Sequence, residues 1–74
     1  MPVSSVIIEV EQGAESAVLG DIARVPLTSV FGIKDRQIVT VIEGDDLASV
    51  EQSLRQLSAL DRVIGVYPVY AGED

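Results

Sequence analysis

The sequence predicts an α+β chain of the ferredoxin-like split βαβ class (βαββαβ): a four-stranded antiparallel sheet with two helices on one face. Three observations carry this. Period-two apolar segments and three-to-four-spaced apolar segments follow one another in the order strand, helix, strand, strand, helix, strand. The second and third strands are joined by a short polar turn, and the whole pattern closes within 74 residues. A chain of this length buries only about 60% of the surface it exposes when unfolded, so residues 1–74 are expected to share one core as one domain. Hydrophobic residues make up 47% and charged ones 23%, a composition that folds rather than staying disordered.

From Val3 to Val10, β-branched residues alternate, with Ser4, Val6, Ile8 and Val10 on one parity and Ser5, Ile7 and Glu9 on the other. That is the first strand. Gln12-Gly13 breaks it, and over Ala14–Val25 the spacing of Val18, Leu19, Ile22 and Val25 predicts an amphipathic helix. Pro26 stops that helix, because its ring disfavours helical geometry at Val25 and it has no backbone N–H. Leu27–Ile33 is expected to be a short strand with a possible bulge at Gly32, and Lys34-Asp35-Arg36 turns the chain into a third strand over Gln37–Glu43.

Gly44-Asp45-Asp46 ends that strand and offers a carboxylate to the unpaired amides of a second helix beginning near Leu47. Leu47, Val50, Leu54 and Leu57 form its apolar stripe, and Glu51 is spaced to pair with Arg55. A last strand runs over Val63–Tyr70, with Gly72-Glu73-Asp74 as a frayed acidic end. Right-handed crossovers then place both helices on one side of the sheet.

Catalysis is not expected. There is no His and no Cys, the adjacent Asp45 and Asp46 suit a helix cap, and no catalytic or metal-binding residues are assigned. Nothing resembles a glycine-rich phosphate loop, so no cofactor is expected. Five Lys and Arg against twelve Asp and Glu give a net charge of −7, which disfavours nucleic acid and anionic membranes. The same charge suits a cationic partner or simply keeps the chain soluble. The opening residues lack a basic n-region and the first apolar run ends at Glu9, which predicts neither a secretory leader nor membrane insertion. A cytoplasmic location is the expectation.

The informative feature is the sheet. In a two-layer fold, one parity of each strand meets the helices and the other should be polar. Here Ile38-Val39-Thr40-Val41-Ile42 is apolar on both parities, and the first and last strands also offer apolar residues to both sides. With Val6, Ile8, Val39, Val41, Ile64 and Val66 assigned to the helices, the open face would present Ile7, Ile38, Ile42, Tyr67 and Val69, edged by Glu9 and Ser5. Such a patch marks a contact with protein, peptide or ligand, or a homodimer interface. The loop Glu11-Gln12-Gly13-Ala14 keeps open a second reading, a regulatory module binding an amino acid or metabolite. A purely structural dimerisation domain is the third.

The segment Gln37–Asp46 and the ending Val63-Ile64-Gly65-Val66-Tyr67-Pro68-Val69-Tyr70 resemble the NapD family, most specifically in the valine-rich strand ending in an acidic residue and in the Val69-Tyr70 pair. The resemblance spans nearly the whole chain. It implies a cytoplasmic chaperone, not an enzyme, whose sheet face binds the twin-arginine signal peptide of a periplasmic nitrate reductase catalytic subunit precursor. Export would then wait until the molybdenum cofactor is installed. On that footing the peptide-binding residues are expected to be Ile7, Glu9, Ile38, Thr40, Ile42, Glu43, Tyr67 and Val69, with Glu9 and Glu43 meeting the arginines. The sequence departs from the family pattern at Leu27, which follows Pro26 where glycine is usual, in a missing acidic residue shortly after it, in a short hairpin, and at Ala71 where a histidine is common.

Overall fold

The strand predicted from Val3 begins at Pro2 and runs to Val10 (β1), with buried and half-buried residues alternating along its whole length. The computed structural model describes residues 2–73, apart from the side chains of Ala71 and Glu73. After β1 come α1 (Glu15–Ile22), β2 (Thr28–Lys34), β3 (Gln37–Glu43), α2 (Leu47–Ser58) and β4 (Val63–Glu73). The strands form one antiparallel sheet in the order β2-β3-β1-β4, so each βαβ unit straddles a strand of the other. This is the predicted split βαβ topology.

Both helices lie on one side of the sheet. Val18 and Ile22 of α1 and Val50 and Leu57 of α2 share a core with Val6, Ile8, Val10, Ile38 and Ile42. The first helix is shorter than its apolar spacing suggested. The amides of Arg24 and Val25 bond to carbonyls three residues back, on Asp21 and Ile22, so the helix tightens and ends before Pro26. The Thr28 hydroxyl donates to the carbonyls of Val25 (2.9 Å) and Ile22 (3.2 Å), satisfying that end. From the other helix, buried Ser53 donates to the Pro26 carbonyl at 2.7 Å and ties the connection down.

The start of α2 is capped as its sequence predicts. The Asp46 carboxylate accepts the Ser49 amide at 2.7 Å, and that bond holds its pKa below the ordinary aspartate value. Glu51 and Arg55 do not form the expected ion pair: among the described residues the ion pairs are Asp21–Arg24 (3.2 Å) and Asp61–Arg62 (3.9 Å). On an exposed helix face such a pair contributes only a few tenths of a kcal/mol, too little to hold two flexible side chains together.

Two departures concern the strands. The last strand, expected to end at Tyr70 before a frayed Gly72-Glu73-Asp74, instead runs on to Glu73, with Gly72 opposite Val3 and Glu73 opposite Pro2; Asp74 lies outside the described residues. The bulge in β2 falls one residue earlier than expected: Val30 and Gly32 face consecutive residues of β3, and Phe31 is the extra residue, 74% exposed. Leu27 carries the left-handed geometry (φ +72°) that makes glycine the easier residue there. Its carbonyl accepts the Glu43 amide at 3.0 Å and its side chain stands over Gly44, where an added Cβ would lie 3.0 Å from Leu27 Cδ1. The strained residue thus fastens the start of β2 to the end of β3.

The parity of β3 is the main correction. Ile38, Thr40 and Ile42 are fully buried beneath the helices, whereas Val39 and Val41 face the open side. Directly opposite residues of an antiparallel pair share a face, and Ile38, Thr40 and Ile42 stand opposite Ile8, Val6 and Ser4. With Val6 and Ile8 in the core, the even-numbered residues of β3 must follow them. The bulkier isoleucines fill the volume between sheet and helices, and the smaller valines remain outside. Ile64, expected inside, is exposed because a second bulge makes it the extra residue between Val63 and Gly65.

Candidate functional site

The open face is built from four rows of side chains that run across the sheet. Its outermost row holds Glu43, Val3 and Gly72; the next holds Ser29, Val41, Ser5 and Tyr70. Gly32, Val39, Ile7 and Tyr67 form the third, and Lys34, Gln37, Glu9 and Gly65 the fourth. The large side chains of the middle rows are thus apolar or aromatic, Ser5 and Ser29 being the small polar ones among them, and charged groups occupy both ends. Val3, Ile7 and Val41 are half-buried by their neighbours, while Tyr67 and Tyr70 remain 51% and 59% exposed.

Both tyrosines are placed by glycines. A Cβ on Gly65 would lie 2.5 Å from the Tyr67 hydroxyl oxygen and 2.7 Å from its Cζ, so the ring lies flat along its own strand over Gly65. Tyr70 covers Gly72 in the same way, at the other end of the face. The Tyr67 hydroxyl then reaches β1 and donates to Glu9 Oε1 at 3.4 Å. Glu9 stands opposite Gln37 and Glu43 ends the same strand, so their two carboxylates are about 20 Å apart by strand rise.

Of the residues expected at the site, Ile7, Glu9, Glu43 and Tyr67 lie on the open face, and Val69 is 64% exposed as the extra residue of a further bulge in β4, between Pro68 and Tyr70. Ile38, Thr40 and Ile42 do not: each is fully buried on the helix side and available to no partner. Glu43 and Ile42 are neighbours in a strand and point to opposite sides, so the expected set could not share one surface. Val39, Val41, Val3 and Tyr70 take the vacated places. Gln37 and Glu43 share the parity of Val39 and Val41, and those polar ends were the signal that this side faces outward. Tyr70 escaped because the bulge between the pairs of Ser5 and Val6 brings two tyrosines three residues apart onto one side. Pro68 gives no sign of it, because β4 is an edge strand and an edge accommodates proline with or without a bulge.

The Glu11–Ala14 loop leads to an open depression lined by Gln12, Glu15, Asp35 and Arg36, beside Gly13 with its φ of +83°. Its lining is charged and polar. Among the described residues no group of His, Cys, Asp and Glu is placed to hold a metal ion, and no helix is long and apolar enough to cross a membrane.

Fold and face together define a small split-βαβ protein whose uncovered sheet surface is apolar at its centre and carries a carboxylate at each end. A family model described as NapD protein matches residues 1–74, and the chain belongs to the NapD family. Among solved structures it is similar to the solution structure of the E. coli Tat proofreading chaperone protein NapD, with a TM-score of 0.86 and 19% sequence identity. That match covers 97% of this chain and 78% of the other. No curated protein matches the sequence.

Proposed function

We propose that this chain is a cytoplasmic maturation chaperone that binds the twin-arginine signal peptide of a periplasmic nitrate reductase precursor on its open sheet face. While bound, the peptide is withheld from export, and the precursor gains time for cofactor insertion. The observation that carries this reading is the apolar centre of the open face, with Ile7, Val39, Val41 and the two tyrosines uncovered between Glu9 and Glu43. A twin-arginine signal joins a cationic segment to a moderately apolar one, and this surface offers a complement to each. Family membership supports the reading, as does the fold shared with a protein described as a Tat proofreading chaperone. The net charge of −7 adds a field that draws a cationic peptide in.

Titration of the ¹⁵N-labelled chain with a twin-arginine peptide tests this. Amide shifts are expected on the open-face positions of β1, β3 and β4, with weaker binding by the double-lysine peptide, whose ammonium groups lack the bidentate geometry of guanidinium. Affinity should fall as salt rises. Shifts confined to the helices, or a response only to amino acids at the Gln12–Arg36 depression, would overturn the reading.

A further inference from the structure

The two ends of the open face are not equivalent. At one end, the Glu9 carboxylate already accepts the Tyr67 hydroxyl, and Lys34 lies in the same row, two strands away and about 10 Å from it. Arg36 and Arg62 occupy the turns at that end, which bond back to β1 through the Val10 and Glu11 amides. At the other end, Glu43 is exposed, and the following loop adds Asp45 and Asp46 without a cation. Residues 37–54 and 63–74 contain no Lys or Arg.

The geometry differs as well. Glu9 and the Tyr67 ring are on neighbouring strands and touch, which leaves no space between them. Glu43 and the Tyr70 ring over Gly72 flank β1 from either side, with the half-buried Val3 between them. Two strand spacings separate them, about 10 Å. Two guanidiniums laid across this row would find the outward face of the flat Tyr70 ring at one end and the Glu43 carboxylate at the other, the two groups that favour arginine.

We propose that a bound peptide has a fixed direction: its arginines sit across the Glu43–Val3–Gly72 row, between Glu43 and Tyr70, and its apolar part runs over Ile7, Val39 and Tyr67 toward the Glu9 end. This rests on the signal-peptide reading above and adds the polarity and the arginine-selecting residues. Glu43 supplies the ion pair, Tyr70 the stacking surface, and Glu9 chiefly holds Tyr67 in place.

Nitroxide-labelled peptides and affinity measurements test it together. A label beside the arginines should broaden the amides of Val3 and Gly72, and one at the apolar end those of Gln37 and Gly65. Glu43→Gln should weaken binding about fivefold, the upper range for an exposed ion pair, and flatten the salt dependence. Tyr70→Leu should narrow the preference for the twin-arginine over the double-lysine peptide. Glu9→Gln should cost less than twofold. Broadening in the reverse order, or a larger loss from Glu9→Gln than from Glu43→Gln, would overturn the direction while leaving open-face binding intact. A wild-type chain whose open-face amides ignore the peptide would end both readings.

Discussion

Thr40 is the one buried side chain with an unpartnered polar atom among the described residues, its Oγ1 lying under the helices between Val6 and Val30. A hydroxyl taken from water without replacement costs about 1–3 kcal/mol, and valine has the same shape without that atom. Thr40→Val should therefore raise stability by about 1 kcal/mol, read as a higher urea midpoint at unchanged slope. A lower midpoint would mean that the hydroxyl has found a partner. Asp46 gives a pH-dependent counterpart. Its pKa is lowered in the folded chain by the Ser49 amide, so its contribution is complete above the unfolded aspartate value near 4 and is lost as pH falls through the folded value. Asp46→Ala should be less stable than the parent at neutral pH, and the gap between their denaturation midpoints should close below about pH 4.

At the scale of elements, β1, β3 and α2 were legible because each carries an unambiguous period or cap, and the cap at Asp46 fell where its carboxylate was expected. The facing of β3 was not legible from its own five apolar residues, since a strand greasy on both parities satisfies either assignment. Only its pairing with β1 decides. The bulges in β2 and β4 escaped for a related reason: an extra residue reverses the alternation beyond it, and neither Phe31 nor Val69 announces itself as that residue. By contrast, the departure from the family's glycine at Leu27 was visible in the sequence, and the positive φ found there gives its physical meaning. The tyrosine-over-glycine arrangement of β4 is testable in isolation. Gly65→Ala would drive a methyl into the Tyr67 ring, which is the free end of a side chain and can swing away. Stability should change by less than about 1 kcal/mol, while the Tyr67–Glu9 contact is lost and the Tyr67 ring resonances shift.

For the whole molecule, the sheet divides the chain into an interior and a docking surface that differ by one residue of register. That division makes two similar substitutions behave oppositely. Ile38→Glu places a carboxylate in the core, at a cost comparable with the total stability of a chain this small, and should leave the protein unfolded by circular dichroism. Ile7→Glu puts the same charge on the half-buried open face, and should preserve the fold while abolishing peptide binding in a titration. Folding of the first variant, or collapse of the second, would refute the division.

Both tyrosines stand on the uncovered surface, and the chain has no tryptophan. Every phenol ring in the protein is therefore a reporter of that one surface. Intrinsic ultraviolet emission, and near-ultraviolet dichroism above the range of its lone phenylalanine, should register an arriving tryptophan-free ligand without any attached dye, and stay silent to one that settles among the helices.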